Sequence, residues 1–184
     1  MEANQIVLIV NGKPAVGKDT FSENIKDIFT KNVNGRLIFQ NISTIDHIKQ
    51  IAKRQFGWDG IKDSKGRRLL SDLKDSSTRY NSGPFQHVVD IVGSFIALYE
   101  NIPDDCVFVT IIQSREPDEI SKFVEYFKDY CKTILIEREN DIDISNHADA
   151  NVSDFAYDYI LENNDTLESF YESCELIVED LKII

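Results

Sequence analysis

The 184-residue chain carries 20 basic and 32 acidic residues, a formal net charge of −12, and 42% hydrophobic residues. This ordinary apolar content and a length sufficient for a full core indicate a single globular domain over 1–184. The acidic balance argues against a nucleic-acid partner, because binding to that backbone depends on clustered Lys and Arg. No apolar run approaches the roughly 20 residues that span a bilayer. The first residues lack the basic region of a signal peptide, so we expect a cytoplasmic protein without a membrane partner.

The cysteines point to the same compartment. Cys106, Cys131 and Cys174 are widely spaced and form no Cys-x-x-Cys motif. Each stands within an apolar pattern, which is typical of buried free thiols. Such thiols persist in reducing compartments, and the cytoplasm is one.

Strand and helix patterns alternate along the chain. Residues 5–11 are a continuous β-branched run, which predicts a strand buried on both faces. The next apolar residues recur at helical spacing to about residue 31. Further strands are predicted at 36–42, 106–112, 133–136 and 157–161. Further helices are predicted at 44–56, 67–80, 85–100, from Pro117 onward and at 167–181. Asp165 and Glu168 resemble a capping box at the start of the last helix. This alternation predicts an α/β fold in three layers, with a central, mostly parallel five-stranded sheet and helices on both faces.

A glycine-rich segment joins the first strand to the first helix. It reads Gly12-Lys13-Pro14-Ala15-Val16-Gly17-Lys18-Asp19-Thr20 and matches the Gly-x-x-x-x-Gly-Lys pattern of a phosphate-binding P-loop. The glycines let backbone N–H groups face an anion, and the helix adds unpaired donors and the positive end of its dipole. Lys18 supplies a full charge for the β- and γ-phosphates. The residues predicted to bind ATP are therefore Gly12, Lys13, Ala15, Val16, Gly17, Lys18, Asp19 and Thr20; the alternative is a strand-to-helix turn without a ligand.

The residue after the lysine departs from the usual Ser or Thr. A carboxylate here, Asp19, can hold Mg²⁺ directly or through water, and the Thr20 hydroxyl can contact a phosphate. Asp19 is therefore the predicted metal residue, although it could serve only to complement the helix dipole. Zinc is not predicted, because His47, His87 and His147 share no ligand spacing.

The segment Gly17-Lys18-Asp19-Thr20 resembles the P-loop of bacteriophage-type deoxynucleoside monophosphate kinases, within the P-loop nucleoside triphosphate hydrolase superfamily. Shorter likenesses follow in the same order over nearly the whole chain. Residues 43–49 resemble the family's Pro-Ile-Lys segment, 66–73 its Arg-x-Leu-Leu-Gln helix, 114–120 its strand-end arginine motif, and Arg138, His147 and 162–168 its lid and terminal helix. The resemblance implies phosphoryl transfer from ATP, with Mg²⁺, to a deoxynucleoside monophosphate. It also implies a helical acceptor-binding region at 43–100 and a lid-like loop at 139–156.

Two departures from the family pattern affect the chemistry. Gln113 stands where an acidic residue often ends the third strand, and an amide ligates Mg²⁺ poorly. This leaves Asp19 or Glu116 to supply the negative charge. The lid's His-x-Ser/Thr-Glu pattern is altered to His147-Ala148-Asp149-Ala150.

Phosphoryl transfer depends mainly on positioning and charge neutralisation, so we expect Arg, Lys and a metal carboxylate. Arg115 follows a central strand, where open α/β sheets bind ligands, and is assigned to the acceptor phosphate. The alternative is a structural pair with Glu116 or Glu119. Lys49 and Arg68 are predicted to face the same phosphate, with a solvated helix face as the alternative.

Two further side chains complete the predicted site. Asp46 is assigned to the acceptor's sugar or base, against the competing interpretation of a first-turn acid. Arg138 is predicted to bridge donor and acceptor phosphates as the lid closes. The predicted catalytic residues are thus Lys18, Arg115 and Arg138, and the predicted substrate residues are Asp46, Lys49, Arg68 and Arg115.

The sequence therefore predicts an ATP-dependent nucleoside monophosphate kinase with a small-molecule nucleotide substrate, and leaves a homodimer open. Two alternatives stand beside it. One is a P-loop kinase for another small phosphorylated acceptor. The other is a nucleotide-binding regulatory protein with little catalysis, which Gln113 and the altered lid favour.

Overall fold

A five-stranded sheet runs through the computed structural model, which describes residues 5–98, 106–139, 152 and 154–182. The strands lie in the order β2-β3-β1-β4-β5, and the β1–β3, β1–β4 and β4–β5 pairs are parallel. Both faces of the central strand must be covered, which suits the continuous apolar sequence of β1. In chain order the strands are β1 (Gln5–Asn11), β2 (Arg36–Ser43), β3 (Cys106–Gln113), β4 (Cys131–Glu137) and β5 (Tyr159–Glu162).

Helices cover both faces of this sheet, which confirms the predicted three-layer α/β architecture. In chain order they are α1 (Lys18–Asn32), α2 (Asp46–Phe56), α3 (Ser64–Asn81), α4 (Gly83–Leu98), α5 (Pro117–Phe127) and α6 (Leu167–Leu181), with a 3-10 turn at Lys128–Tyr130. Helices α1 and α6 contact each other and share one core with alternate strand residues such as Leu8, Val109 and Ile136. Helix α5 contacts β1 and β4, and its buried Ile120 and Phe123 lie outside that core.

The predicted and observed elements differ at their ends. Helix α3 begins at Ser64, earlier than predicted, because the Asp63 carboxylate caps it by accepting from the Gly66 amide at 2.7 Å. The break before α4 is shorter than predicted, since only Ser82, with φ 55°, separates the two helices. The capping box predicted for α6 is wrong: Thr166 is the cap, and its hydroxyl accepts from the Ser169 amide at 3.2 Å.

The chain forms two compact units. One comprises Met1–Asn41 with Ile102–Ile184 and contains the phosphate loop; the other is Ile42–Asn101 and contains α2, α3 and α4. The helical unit has its own buried cluster of Ile48, Ala52 and Leu70. Its bounds are close to the predicted acceptor-binding region, whose role stays a prediction. Within this unit the rings of His47 and His87 stack with centroids 4.3 Å apart.

The three cysteines are buried free thiols, as predicted. Burial raises the pKa of Cys131 to about 12 and that of Cys174 to about 11. These two thiols stay protonated at neutral pH and are poor nucleophiles.

Most of the predicted lid-like loop, residues 140–151 and 153 with His147, lies outside the described residues. None of the helices within the described ranges is long and apolar enough to cross a bilayer.

Asp158 fastens the start of β5 to β4. Its carboxylate accepts from the Thr133 amide at 2.8 Å and the Thr133 hydroxyl at 2.7 Å, and Lys132 Nζ lies 3.4 Å away. Burial raises the pKa of Asp158, but the hydrogen bonds from Thr133 and the charge of Lys132 outweigh it, so the pKa is lowered. A carboxyl with a lowered folded pKa stabilises the fold above its unfolded pKa and loses that contribution as pH falls through the folded value.

We therefore expect Asp158→Asn to destabilise the protein at pH 7 by about 1 kcal/mol, a value reduced for partial exposure. Thermal unfolding should show a Tm loss of about 2–4 °C at pH 7 that is smaller at pH 3, because the contribution is lost as pH falls through the lowered folded pKa. Asp165→Asn, in the exposed turn before α6, is the control and should change Tm little at either pH. An equal loss for Asp158→Asn at both pH values would contradict this account.

Candidate phosphate-binding site

The loop between β1 and α1 turns back on itself rather than running extended. Gly12 has φ 148°, Ala15 φ 58° and Gly17 φ 106°, all in the region that favours glycine. A Cβ on Gly12 would come within 2.6 Å of the Ile136 carbonyl oxygen, and one on Gly17 would collide with the Asn163 amide. Both glycines are therefore required by conformation and by space.

The Lys18 ammonium lies over this loop. Its Nζ donates to the Gly12 carbonyl at 2.6 Å and the Lys13 carbonyl at 2.7 Å, and the side chain is half-buried. Helix α1 starts directly at Lys18, and its first hydrogen bond runs from the Phe21 amide to the Gly17 carbonyl at 2.8 Å. A positive charge and the positive end of a helix dipole thus meet at one point, which is an arrangement suited to a polyphosphate.

The entry to the loop is fixed by Asn11, the last residue of β1, whose side chain is fully buried. Its Oδ1 accepts from the Gly12 amide at 2.7 Å. Its Nδ2 donates to the Arg115 carbonyl at 3.2 Å and to the Tyr157 hydroxyl at 2.6 Å. Because the Gly12 amide is taken by Asn11, Gly12 serves the loop through its backbone angle and its carbonyl, not by presenting that N–H to the anion.

The exit of the loop is fixed by Asn163, which follows β5 and is buried. Its side-chain Nδ2 donates to the Val16 carbonyl at 2.8 Å, and its backbone amide donates to the Glu137 carbonyl at 2.8 Å. The neighbouring Asn164 accepts from the Glu139 amide at 2.8 Å. Two adjacent asparagines therefore tie the loop to the end of β4.

Two predicted arginines follow the strands on either side of β1. Arg115 follows β3 and is half-buried; Arg138 follows β4 and is exposed. Neighbouring strands lie about 5 Å apart, so these strand ends flank the loop at close range.

A cavity of about 70 Å³ opens beside the loop; it is lined by Lys13, Val16, residues 135–138 and Val152. Lys13 and Arg138 both face this cavity. Glu119, which with Glu116 is an alternative partner of Arg115, is buried and accepts from the Ser114 hydroxyl at 2.5 Å.

Asp19 is exposed in the first turn of α1. The Gln113 amide donates to Asp19 Oδ1 and to Asn41 Oδ1, both at 3.2 Å. One side-chain partner of this carboxylate is thus an amide, that of Gln113. Within the described ranges, no group of three or more His, Cys, Asp or Glu could hold a metal ion by itself.

The remaining predicted substrate residues lie in the helical unit. Lys49 Nζ is 2.8 Å from Asp46 Oδ1, and the other oxygen of Asp46 accepts from the Ser43 amide at 3.2 Å. Arg68 lies 3.9 Å from Asp72, and both side chains are largely exposed. Since an exposed pair such as Arg68–Asp72 contributes little to stability, Arg68 is available to an anionic ligand at low cost.

Three residues of the site were not predicted from sequence: Asn11, Tyr157 and Asn163. A signal existed for Asn11, since a polar residue that ends a buried strand must find hydrogen-bond partners. The run Asn163-Asn164-Asp165-Thr166 signals a turn before a helix. The run does not indicate that Asn163 contacts the phosphate loop, and no local pattern singles out Tyr157.

The sequence matches no protein-family model and no curated protein. Among solved structures, a shikimate kinase from Bacteroides thetaiotaomicron is 17% identical, with a TM-score of 0.47 over 98% of this chain and 99% of that one. A gluconokinase from Sinorhizobium meliloti is 9% identical, with a TM-score of 0.48 over 98% of this chain and 95% of that one. Likeness at this level carries no argument about activity. The strand order, the parallel pairing around β1 and the geometry of the loop with its lysine show that the chain has a three-layer α/β P-loop fold.

Proposed function

We propose that this chain transfers the γ-phosphoryl group of ATP to a nucleoside monophosphate, of the deoxynucleotide type that the sequence resembles. The main support is a closed phosphate loop on the central strand, with Lys18 on it and an arginine after the strand on each side. Binding one polyphosphate requires the loop and its lysine. Transfer also requires cations for a second phosphate and for the charge that develops between them, and Arg115 and Arg138 are suited to both.

The residues around the loop fit ATP with Mg²⁺. Mg²⁺ keeps several waters and takes one or two carboxylates together with nucleotide phosphates, and Asp19 provides one such carboxylate. The Gln113 amide that donates to it adds no charge. We infer that the metal arrives with the nucleotide and that Asp19 holds it directly or through water. When bound, the ion neutralises charge on the transferring phosphoryl group.

Each proposed residue has a distinct task. Lys18, held over the loop by the carbonyls of Gly12 and Lys13, contacts the β- and γ-phosphate oxygens. Arg115 holds the attacking phosphate in line, and Arg138 neutralises charge between donor and acceptor. In the helical unit, Lys49 and Arg68 contribute to acceptor binding and Asp46 to its sugar or base.

Replacement of Lys18 tests the donor side. Lys18→Met should lower kcat/KM at least about a hundredfold, since removing one preorganised donor to the transition state has an effect of this size. Lys26→Met, an exposed lysine on the same helix, is the matched control and should retain wild-type kinetics. Coupled ADP release and ATP binding by calorimetry are the measurements. Activity of Lys18→Met within about threefold of wild type would contradict the assignment.

Replacement of Asp19 tests the metal. Asp19→Asn should raise the Mg²⁺ concentration for half-maximal activity about tenfold, because one anionic ligand is lost. It should also weaken Mn²⁺ binding to the nucleotide complex, followed by electron paramagnetic resonance. Asp118→Asn, in the exposed first turn of α5, is the control for charge. Unchanged metal dependence and an unchanged spectrum would show that Asp19 only complements the dipole of α1.

Replacement of Arg115 tests the acceptor. Arg115→Lys should lower kcat/KM for the acceptor about ten- to hundredfold and leave ATP affinity unchanged, because lysine cannot form the bidentate contact. Arg79→Lys in the last turn of α3 is the control. The assay uses a panel of ribo- and deoxynucleoside monophosphates. Turnover of a non-nucleotide phosphate alone would favour a kinase for another acceptor, and ATP binding without turnover of any acceptor would favour a regulatory protein.

A further inference from the structure

Asn11 connects three separate segments of the chain through one buried side chain. Its oxygen accepts from the first amide of the phosphate loop, and its nitrogen donates to the Arg115 carbonyl and to the Tyr157 hydroxyl. The Tyr157 hydroxyl in turn donates to the Val152 carbonyl at 2.8 Å. One chain of hydrogen bonds therefore runs from the strand end that carries Arg115, past the loop, to Tyr157 and Val152.

The amide suits this position better than any apolar side chain. The preceding residues of β1 that enter the core are apolar, so a polar group here is tolerated only because every bond it needs is made. Only Asn or Gln carries an acceptor and two donors on one planar group. Burial raises the pKa of Tyr157, so its hydroxyl keeps the proton that it donates to Val152.

The same loop holds the ammonium that a bound polyphosphate would contact. Lys18 Nζ rests on the carbonyls of Gly12 and Lys13. Gly12 is thus held from two sides, because Lys18 donates to its carbonyl and Asn11 Oδ1 accepts from its amide. A change at the loop therefore acts directly on the residue that holds Arg115 and Tyr157.

We propose that Asn11 is a positioning residue that couples occupancy of the phosphate loop to the placement of Arg115, Val152 and Tyr157. Its catalytic consequence rests on the proposed phosphoryl transfer, but the coupling itself does not. A purely structural network would change stability alone. A coupling network also changes how distant segments respond to nucleotide.

The test is hydrogen exchange read by mass spectrometry, with and without saturating ATP and Mg²⁺. In the wild type, nucleotide should slow exchange about tenfold in the loop and also in peptides covering 113–117 and 154–160. Asn11→Ser keeps an acceptor near the Gly12 amide but cannot reach Arg115 or Tyr157. It should keep the loop protection and lose both distant responses. Tyr157→Phe removes one oxygen, is the variant expected to fold most readily, and should lose only the 154–160 response.

Matched controls separate coupling from stability. Tyr159→Phe removes a different tyrosine hydrogen bond, to Asp180 at 2.6 Å, and Thr133→Val removes a buried hydroxyl from β4. Both should lower Tm yet retain all nucleotide responses. In steady-state assays, Tyr157→Phe should lower kcat about three- to tenfold with KM for ATP changed less than about twofold. Tyr159→Phe should change neither constant.

The outcomes distinguish this proposal from the proposed function. Persistence of both distant responses in Asn11→Ser, or their equal loss in Tyr159→Phe, would overturn the coupling. Distant responses that follow the expected pattern in a protein without phosphotransferase activity would uphold the coupling and overturn the function. Failure of the wild type to bind ATP would overturn both.

Discussion

The contact between the Lys18 ammonium and the carbonyls of Gly12 and Lys13 determines how the site is built. A loop that directs its amides toward an anion also brings its carbonyls together on the opposite side, and those carbonyls need a donor. The lysine supplies it. The loop is thus held in shape by the same ammonium that would contact a bound polyphosphate. The cost of ordering the loop has already been met by folding.

This arrangement depends on the central position of β1. Strand β1 lies between β3 and β4, so the ends of these two strands flank its carboxyl end. Asn11 bonds toward the β3 side through the Arg115 carbonyl, and Asn163 bonds the loop to the β4–β5 side. The loop is fastened at its entry and its exit by amides from different parts of the chain. Fully satisfied buried amides of this kind specify one geometry, because any shift leaves a polar group unpaired.

The sequence predicted the features that depend on local interactions, but not those that depend on contacts between residues far apart in the chain. Strand β1, the loop and helix α6 were predicted closely because their signals are local: a β-branched run, two glycines at fixed spacing and a stripe of apolar residues. The pair formed by Asp46 and Lys49 was also within reach, since residues three apart on a helix are neighbours. The contacts of Asn11 with Tyr157 and of Asn163 with Val16 join residues separated by 146 and 147 positions. No periodicity encodes such pairs, and the sheet order that creates them follows from the whole fold.

The chain is acidic overall, although the ligand proposed for it is an anion. The acidic and basic residues are, however, unevenly distributed between the two units. Residues 42–101 hold nine basic and seven acidic residues, a balance of +2, and the remaining residues hold 11 basic and 25 acidic, a balance of −14. The helical unit is thus the less repulsive one for a phosphorylated acceptor. The phosphate loop lies in the strongly acidic unit, yet the Debye length is about 8 Å at physiological salt, so most of that charge is screened from the loop. Local donors then decide binding there, and they are the helix terminus, the loop amides and Lys18. A net charge can therefore argue against a long polyanion as partner and still leave a single polyphosphate fully compatible with the chain.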